Sequence, residues 1–416
     1  MRKRNQHIYP WIFKWHVIGG IVSAPIVVIL AISGLIYLFK EGYEAPERRQ
    51  LMQVDQTWRP KMSYQQQWEF VQEKWSRNTT AMAIPQGTDK ATEFSSGIFS
   101  DKSLIFLDPY SKRINGTINI SESDMNRVRK LHGELLLGGF GTKLVELVAC
   151  WMVVLIITGL FLFWPRARGW RAIFMLRIRQ SKRIFFRDLH SLLGFWFSLL
   201  LLLVLAGALP WTDVFGANFK WLQQKTNTGY PTTWSGKSLA STPRASTITL
   251  DEVVLKAQAL NLVGRTFIDL PQKPTNVFSI YNETNQLAEI RRVHLDSYSG
   301  EILISHSWED IGIMMKGRLW VMAFHQGEFG LWNWYLMIFV ATGLLILSLS
   351  AIIAYTYRKQ PAKLSFASSF QSFAPSRGLV LIIIGLGVLF PLFGLNVLLI
   401  YAIGKIVSMR NRLANE

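Results

Sequence analysis

Cysteine is almost absent: the 416 residues contain one, Cys150, inside an apolar run. A single thiol excludes a disulfide framework, a cysteine-ligated iron–sulfur cluster and a Cys-x-x-Cys-His attachment point. No Gly-x-Gly-x-x-Gly lies between a strand and a helix, which removes a dinucleotide-binding fold. Acidic residues are also scarce, 27 against 45 Lys and Arg, and the shortage is local. Segments 1–14, 165–187 and 357–377 hold four, eight and four basic residues and no Asp or Glu, which is nearly the whole net charge of +18. The long segments 40–142 and 213–331 are balanced, with 14 basic against 13 acidic residues and 11 against 11. A basic excess confined to short segments marks membrane topology, and no nucleic-acid partner is expected.

What is present is apolar. Half of the chain is hydrophobic and 13% is aromatic, with several runs long enough to cross a hydrocarbon core of about 30 Å. Spans are expected at 15–39, 143–164, 188–212 and 333–356, with a further apolar stretch at 378–404. The positive-inside rule places the short basic segments in the cytoplasm and both long segments on the far side. Arg2, Lys3 and Arg4 precede the first run as in a signal peptide, but the run is too long and lacks a small-residue cleavage site near Tyr37–Lys40. It reads as an uncleaved helix with a cytoplasmic N-terminus. The last stretch has two readings. As one span it would put Lys405, Arg410 and Arg412 outside, whereas a break near Pro391, Gly394 and Asn396 would make a re-entrant hairpin.

Four histidines recur at matching points of this pattern. His16 is followed by glycine after four and eighteen residues, and His190 after four and seventeen; both are expected to open their helices. His132 lies 34 residues before Arg166, and His325 lies 33 before Arg358, each arginine closing an apolar span. The chain therefore reads as a tandem repeat of helix, polar segment and histidine-preceded helix. A membrane-edge imidazole is costly without a partner, and neutral imidazole is a good axial ligand for haem iron. One interfacial histidine is ordinarily an amphipathic anchor; four at equivalent positions point to paired ligands. His16 pairs with His190 by side, and His132 with His325, giving two b-type, bis-His haems, one near each face. Two imidazoles per iron suit single-electron transfer rather than oxygen binding.

The two long segments read as small α+β modules. In the second, TITLDEVVLKAQAL is an N-capped amphipathic helix starting near Thr249, followed by the strands NVFSIYN, AEIRRVHLD and EILISH, with a turn at Asp296–Gly300. The first repeats this more weakly, with a helix around Tyr64–Trp75, the strand SLIFLD, and a turn at Asp108–Ser111 before RINGTI.

LDEVV followed by VHLDSYSGEIL resembles the PepSY domain. Together with KWHVIGGIVSAPIVVILAISGLIYLF, RKLHGELLLGGFG, RDLHSLLGFWFSLLLLLVLAGALPW and FHQGEFG, it resembles the PepSY-associated transmembrane family over almost the whole chain. The resemblance implies a transmembrane helical bundle carrying two periplasmic PepSY-like modules in a bacterial inner membrane. It also implies membrane-held haem and reduction of periplasmic ferric siderophores, with electrons from a quinol or a cytoplasmic reductase. The organisation expected is 1–39 N-terminus and first helix, 40–142 first module, 143–212 second and third helices with their basic loop, and 213–332 second module. The fourth helix at 333–356, the loop 357–377 and the stretch 378–416 follow.

Other residues carry milder expectations. His7 is a tail residue, and His294 and His306 are packing or surface residues of the second module. Glu134 and Glu328 are helix-start carboxylates that could also bond an imidazole. Glu146 faces the bundle or the headgroups, and a proton-relay role stays open. Trp151, Trp196, Trp211, Trp332 and Trp334 suit an aromatic belt, with haem packing as the second reading, and the segment 166–187 suits anionic lipid heads, with a docking site for an electron donor as the second reading. A non-redox PepSY-type binding or regulatory protein and a metal transporter are the alternatives, the latter weakened by the scarcity of intramembrane carboxylates.

Overall fold

The computed structural model describes residues 8–54, 58–164, 169–358 and 376–413, arranged in two compact units. One draws on Met1–Leu38, Arg129–Trp221 and Phe324–Glu416, the other on Phe39–Val128 and Leu222–Ala323. His7 and Arg166 lie outside the described residues, as do most of the basic positions in 1–14 and 357–377.

Twelve helices are described: α1 (Ile8–Tyr37), α2 (Lys40–Leu51), α3 (Tyr64–Lys74), α4 (Asp124–Glu134), α5 (Gly138–Phe163), α6 (Lys182–Ala208), α7 (Val214–Lys225), α8 (Leu250–Ala259), α9 (Ile313–Gln326), α10 (Leu331–Thr356), α11 (Arg377–Leu389) and α12 (Pro391–Leu413). Four of them, α1, α5, α6 and α10, are long and apolar enough to cross a membrane. In the bundle unit α1 and α6 each pack against both α5 and α10. The expectation that α1 and α6 open at their histidines is corrected: they begin at Ile8 and Lys182, eight residues earlier. At 1.5 Å per residue each histidine lies about 12 Å inside its helix. Hydropathy detects the lipid-compatible middle of a helix and misses its polar first turns. In α6 those turns are pinned by Asp188, which accepts from Arg177 Nε at 2.7 Å and Nη2 at 2.8 Å.

Of the two readings of the C-terminal stretch, the structure has the break at Pro391. The 13 residues of α11 rise only about 20 Å, and α12 starts anew at Pro391. The two helices cross at Gly387 and Gly394, where a Cβ on Gly394 would stand 2.8 Å from Gly387 Cα. Trp151 turns inward to this pair rather than joining a belt: its Nε1 donates to Asn396 Oδ1 at 3.1 Å and its ring meets Phe393.

The second unit holds one antiparallel sheet of eight strands in the order β4-β3-β2-β1-β5-β6-β7-β8. The strands are β1 (Ala81–Ala83), β2 (Thr92–Ser96), β3 (Ser103–Asp108), β4 (Arg113–Asn119), β5 (Arg265–Asp269), β6 (Phe278–Glu283), β7 (Arg291–Leu295) and β8 (Ile302–Ser307). The two expected modules are thus halves of a single sheet, joined where Met82 of β1 pairs with Ile268 of β5. The join covers two strand edges that would otherwise be open to association. One face is covered by α3 and α8, whose Val71, Val253, Val254 and Ala257 bury against Met82, Phe94, Ile105, Ile268 and Ile280. The two helices start alike, with capping boxes at Ser63/Gln66 and Thr249/Glu252. They also cap each other: Asp251 accepts from the backbone N–H of Tyr64 and Gln65, while Gln65 Oε1 accepts from Leu250.

Candidate functional site

The structure brings the four histidines together in two pairs within the bundle unit. His16 on α1 and His190 on α6 face each other with ring centres 6.3 Å apart and planes at 65°. His132 on α4 and His325 on α9 do the same at 6.2 Å and 61°. At this spacing the rings leave a gap. Two metal–imidazole bonds of about 2 Å each, plus roughly 1 Å from each ligating nitrogen to its ring centre, span about 6 Å.

Every one of these imidazoles is oriented through Nδ1. His190 bonds the Leu347 carbonyl, His325 the Val204 carbonyl and His132 the Leu30 carbonyl, all at 3.0 Å. His16 bonds Thr158 Oγ1 at 2.9 Å. A carbonyl can only accept. The Thr158 hydroxyl donates its own proton to the Val154 carbonyl at 2.7 Å, so toward His16 it too accepts. All four rings therefore carry the proton on Nδ1 and present a bare Nε2 lone pair, the tautomer that ligates metal. His132 has a second acceptor, Ser33 Oγ at 3.2 Å, whose own proton goes to the Ile29 carbonyl.

Sequence reading found the histidines and missed these anchors. Two of them had a visible trace, Ser33-Gly34 and Thr158-Gly159. A Cβ on Gly34 would approach His132 Cε1 to 3.0 Å, and one on Gly159 would approach His16 Cε1 to 3.2 Å, so each dipeptide supplies an acceptor and the space for the ring beside it. Backbone carbonyls on neighbouring helices leave no trace in a sequence. Asn333 was missed as well. Fully buried, it donates to the Phe324 carbonyl and accepts from Phe329 N–H, bolting the turn after His325.

A cavity of about 1120 Å³ opens beside the first pair, slightly above the usual range for small-molecule sites, about 300–1,000 Å³. It follows α1 from Tyr9 to Val27 and includes Gly20 and Gly194, the glycines four residues after each histidine. Nothing lies within 4 Å of a Cβ built on Gly20. At one end the lining is basic, with Arg171, Arg183 and Arg358 beside the Arg177–Asp188–Arg187 cluster. Among the described residues no group of three or more His, Cys, Asp or Glu is placed to hold a bare metal ion. Two imidazoles are too few for a structural or catalytic zinc site but are the axial set of a metal that arrives in its own macrocycle.

Glu146 is fully buried and accepts from the backbone N–H of Val214 at 2.8 Å and Phe215 at 2.9 Å, capping the start of α7. Trp334 Nε1 donates to the Leu38 carbonyl and Trp196 Nε1 to the Ile173 carbonyl, while Trp211 and Trp332 are exposed. In the sheet unit His294 and His306 form a third buried pair, ring centres 6.0 Å apart. Each ring is tied to a hydroxyl, His294 Nδ1 to Ser279 at 2.7 Å and His306 Nε2 to Thr233 at 2.9 Å. His294 is held neutral, its pKa lowered to about 4 by burial, then by Arg292 and His306.

No curated protein matches the chain. A family model described as the PepSY-associated TM region matches residues 13–369, which takes in the four histidines, the eight described strands and, but for the first five residues of α1, the four long apolar helices. The chain belongs to the PepSY-associated transmembrane family.

Proposed function

We propose that this protein is an inner-membrane b-type haem protein that passes electrons across the membrane and reduces ferric siderophores in the periplasm, releasing Fe(II) for uptake. The observation that carries the reading is the paired geometry: two opposed imidazole pairs at metal-bridging separation, each ring fixed with Nε2 free. His16 and His190 would hold one haem and His132 and His325 the other. Arg183 and Arg358, which line the first cavity, would neutralise carboxylate side groups of the macrocycle. Bound there, haem would supply single-electron transfer along the bundle and onto a ferric chelate at the His132/His325 end.

The chain's part is positional. Carbonyls of Leu30, Val204 and Leu347 and the Thr158 hydroxyl hold the rings; apolar walls from α1, α5, α6 and α10 exclude water and lower the local dielectric. No side chain need act as acid, base or nucleophile. Reduction would release the metal because hard oxygen chelators favour Fe(III) and hold Fe(II) weakly. The short basic segments would face the cytoplasm and the eight-stranded sheet the periplasm.

The test is a reduced-minus-oxidised visible spectrum of purified protein, followed by addition of a ferric siderophore with a ferrous trap. Expected results are a b-type spectrum, loss of about half the pigment in His16→Ala or His190→Ala and of the other half in His132→Ala or His325→Ala, and reoxidation by the ferric chelate. Colourless protein, or full pigment in all four variants, refutes the haem assignment. A reduced spectrum unmoved by several chelate classes refutes the substrate.

A further inference from the structure

The basic end of the His16/His190 cavity carries more positive charge than a bound cofactor could neutralise. Five arginines and a single carboxylate line it among the described residues. That carboxylate, Asp188, is already engaged by Arg177 through two bonds and by Arg187. With Arg183 and Arg358 set against the two propionates of a haem, Arg171 remains, and beside it Arg179 and Lys182 stand exposed on the same short segment.

That segment is built as a surface. The 3-10 turn Trp170–Phe174 is pinned by Trp196 Nε1 donating to the Ile173 carbonyl at 2.9 Å, and Phe174 packs on the Trp196 ring with centres 5.2 Å apart. The Arg177–Asp188 fork fixes the other end onto α6. Around these two pins Phe174, Met175 and Ile178 are 71%, 57% and 73% exposed. Arginine, methionine and an aromatic around an apolar centre is the composition of protein interfaces. Of this set Arg171 and Met175 line the cavity that also takes in His16 and His190, as an electron-entry port requires, whereas groups serving lipid alone would need only an outer face.

We infer that Arg171, Arg179 and Lys182, with Phe174, Met175 and Ile178, form the docking surface for an acidic, soluble one-electron carrier that delivers electrons to the His16/His190 end. This rests on the haem reading for its purpose, not for its geometry. The step would move one electron: the carrier's reduced centre would be oxidised by one and a haem iron that His16 and His190 would hold would be reduced by one, with no atom or proton transferred. Such encounters are small, transient and steered by complementary charge, so they weaken steeply with salt.

The experiment uses the full chain in neutral-lipid nanodiscs and an oxidised plant-type ferredoxin as the acidic probe, with binding titrated calorimetrically at low and physiological salt. Saturable binding should weaken at least about tenfold between the two. Arg171→Glu/Arg179→Glu should lose it, while Arg59→Glu/Lys112→Glu, with the same change in net charge on the sheet unit, should keep it. Binding insensitive to salt, or equal for the two double variants, overturns the proposal. So does loss in the first variant of affinity for anionic-lipid vesicles alone, with ferredoxin binding intact, which assigns the segment to headgroups. Because the probe is oxidised, binding is read without haem; haem content is measured separately, so failure of the cofactor reading and failure of the docking surface give different results.

Discussion

The two hydroxyl anchors of the histidine pairs are not equivalent, and a pair of substitutions should expose the difference. Thr158 Oγ1 is the acceptor found for His16 Nδ1, whereas Ser33 shares His132 Nδ1 with the Leu30 carbonyl at 3.0 Å. Thr158→Val keeps shape and volume but leaves a buried N–H unpaired, a cost of about 1–3 kcal/mol. Loss of an outer partner of a metal-ligating histidine typically weakens metal affinity about 10–100-fold, which is the same energy expressed as binding. In Ser33→Ala the carbonyl still takes the proton, so affinity should change by less than about threefold. If the pairs hold haem as proposed, its transfer to excess apomyoglobin would give both dissociation rates, and a redox titration the potentials. Thr158→Val should speed release from one site only and raise that site's potential, because an imidazole that has lost its Nδ1 partner is a poorer donor to Fe(III). Thr158→Ser should restore both. Equal effects of Thr158→Val and Ser33→Ala, or no effect of the former, would falsify the anchoring argument.

Three further outcomes follow from the same structure. Because His294 has its folded pKa lowered to about 4 from 6.5, the stability tied to its neutral form is complete above about pH 6.5. It falls as pH drops toward 4, by up to about 3 kcal/mol; hydrogen exchange of β6 and β7 should accelerate over that window in wild type and not in His294→Gln. Glu146→Ala removes the acceptor of two backbone N–H groups and should cost about 1–2 kcal/mol of local stability. Glu146→Gln should cost less, both read as exchange at Val214 and Phe215; unchanged exchange in Glu146→Ala would remove the capping role. Leu136 is 59% exposed at φ 58°, so Leu136→Gly should stabilise the α4–α5 turn by about 1 kcal/mol, seen as a higher unfolding midpoint in detergent; a lower one would show that its side chain packs more than its exposure suggests.

How much of this was legible depended on the kind of signal. The four spans came from long apolar runs, and the histidine pairing from repeated positions and the sides that the basic segments assign, signals that survive errors in element boundaries. Helix ends did not, because the first turns of α6 are charged and stand in the helix through the Asp188 ion pairs rather than through hydropathy. SLIFLD, RINGTI and the β6–β8 strands alternate and were readable. The strands at the seam were not: β1 has only three residues, and β2 reads as polar Thr-Glu-Phe-Ser-Ser although all five are buried. Glu93 of β2 is tolerated there because Arg48 and Arg265 outweigh the burial that would raise its pKa and hold it lowered. A rule that buries apolar residues and exposes charged ones cannot find a strand stabilised in that way, and without β1 and β2 the fusion of two modules into one sheet is invisible.

Two haems near opposite faces of a membrane, as proposed above, would raise a problem of distance, and the helix geometry bears on it. His16 and the Leu30 carbonyl that anchors His132 lie on one helix; His190 and the Val204 carbonyl that anchors His325 lie on another. Both intervals are fourteen residues, about 21 Å along the axis, against a hydrocarbon core of roughly 30 Å. The shortening has a cause: α1 and α6 each run two turns beyond their histidine before the helix starts, which draws the first pair inward from the membrane edge. The cavity that begins at Tyr9 ends at Val27, less than one turn from Leu30, so the two sites are separated by side chains rather than by a layer of lipid. The equal intervals also mean that the repeat conserves depth as well as pairing. A chain in which the histidines were only headgroup anchors would need them at the ends of α1 and α6, where solvent and phosphate are available, and not two turns inside with Nδ1 tied to neighbouring helices and ring centres 6.3 Å apart.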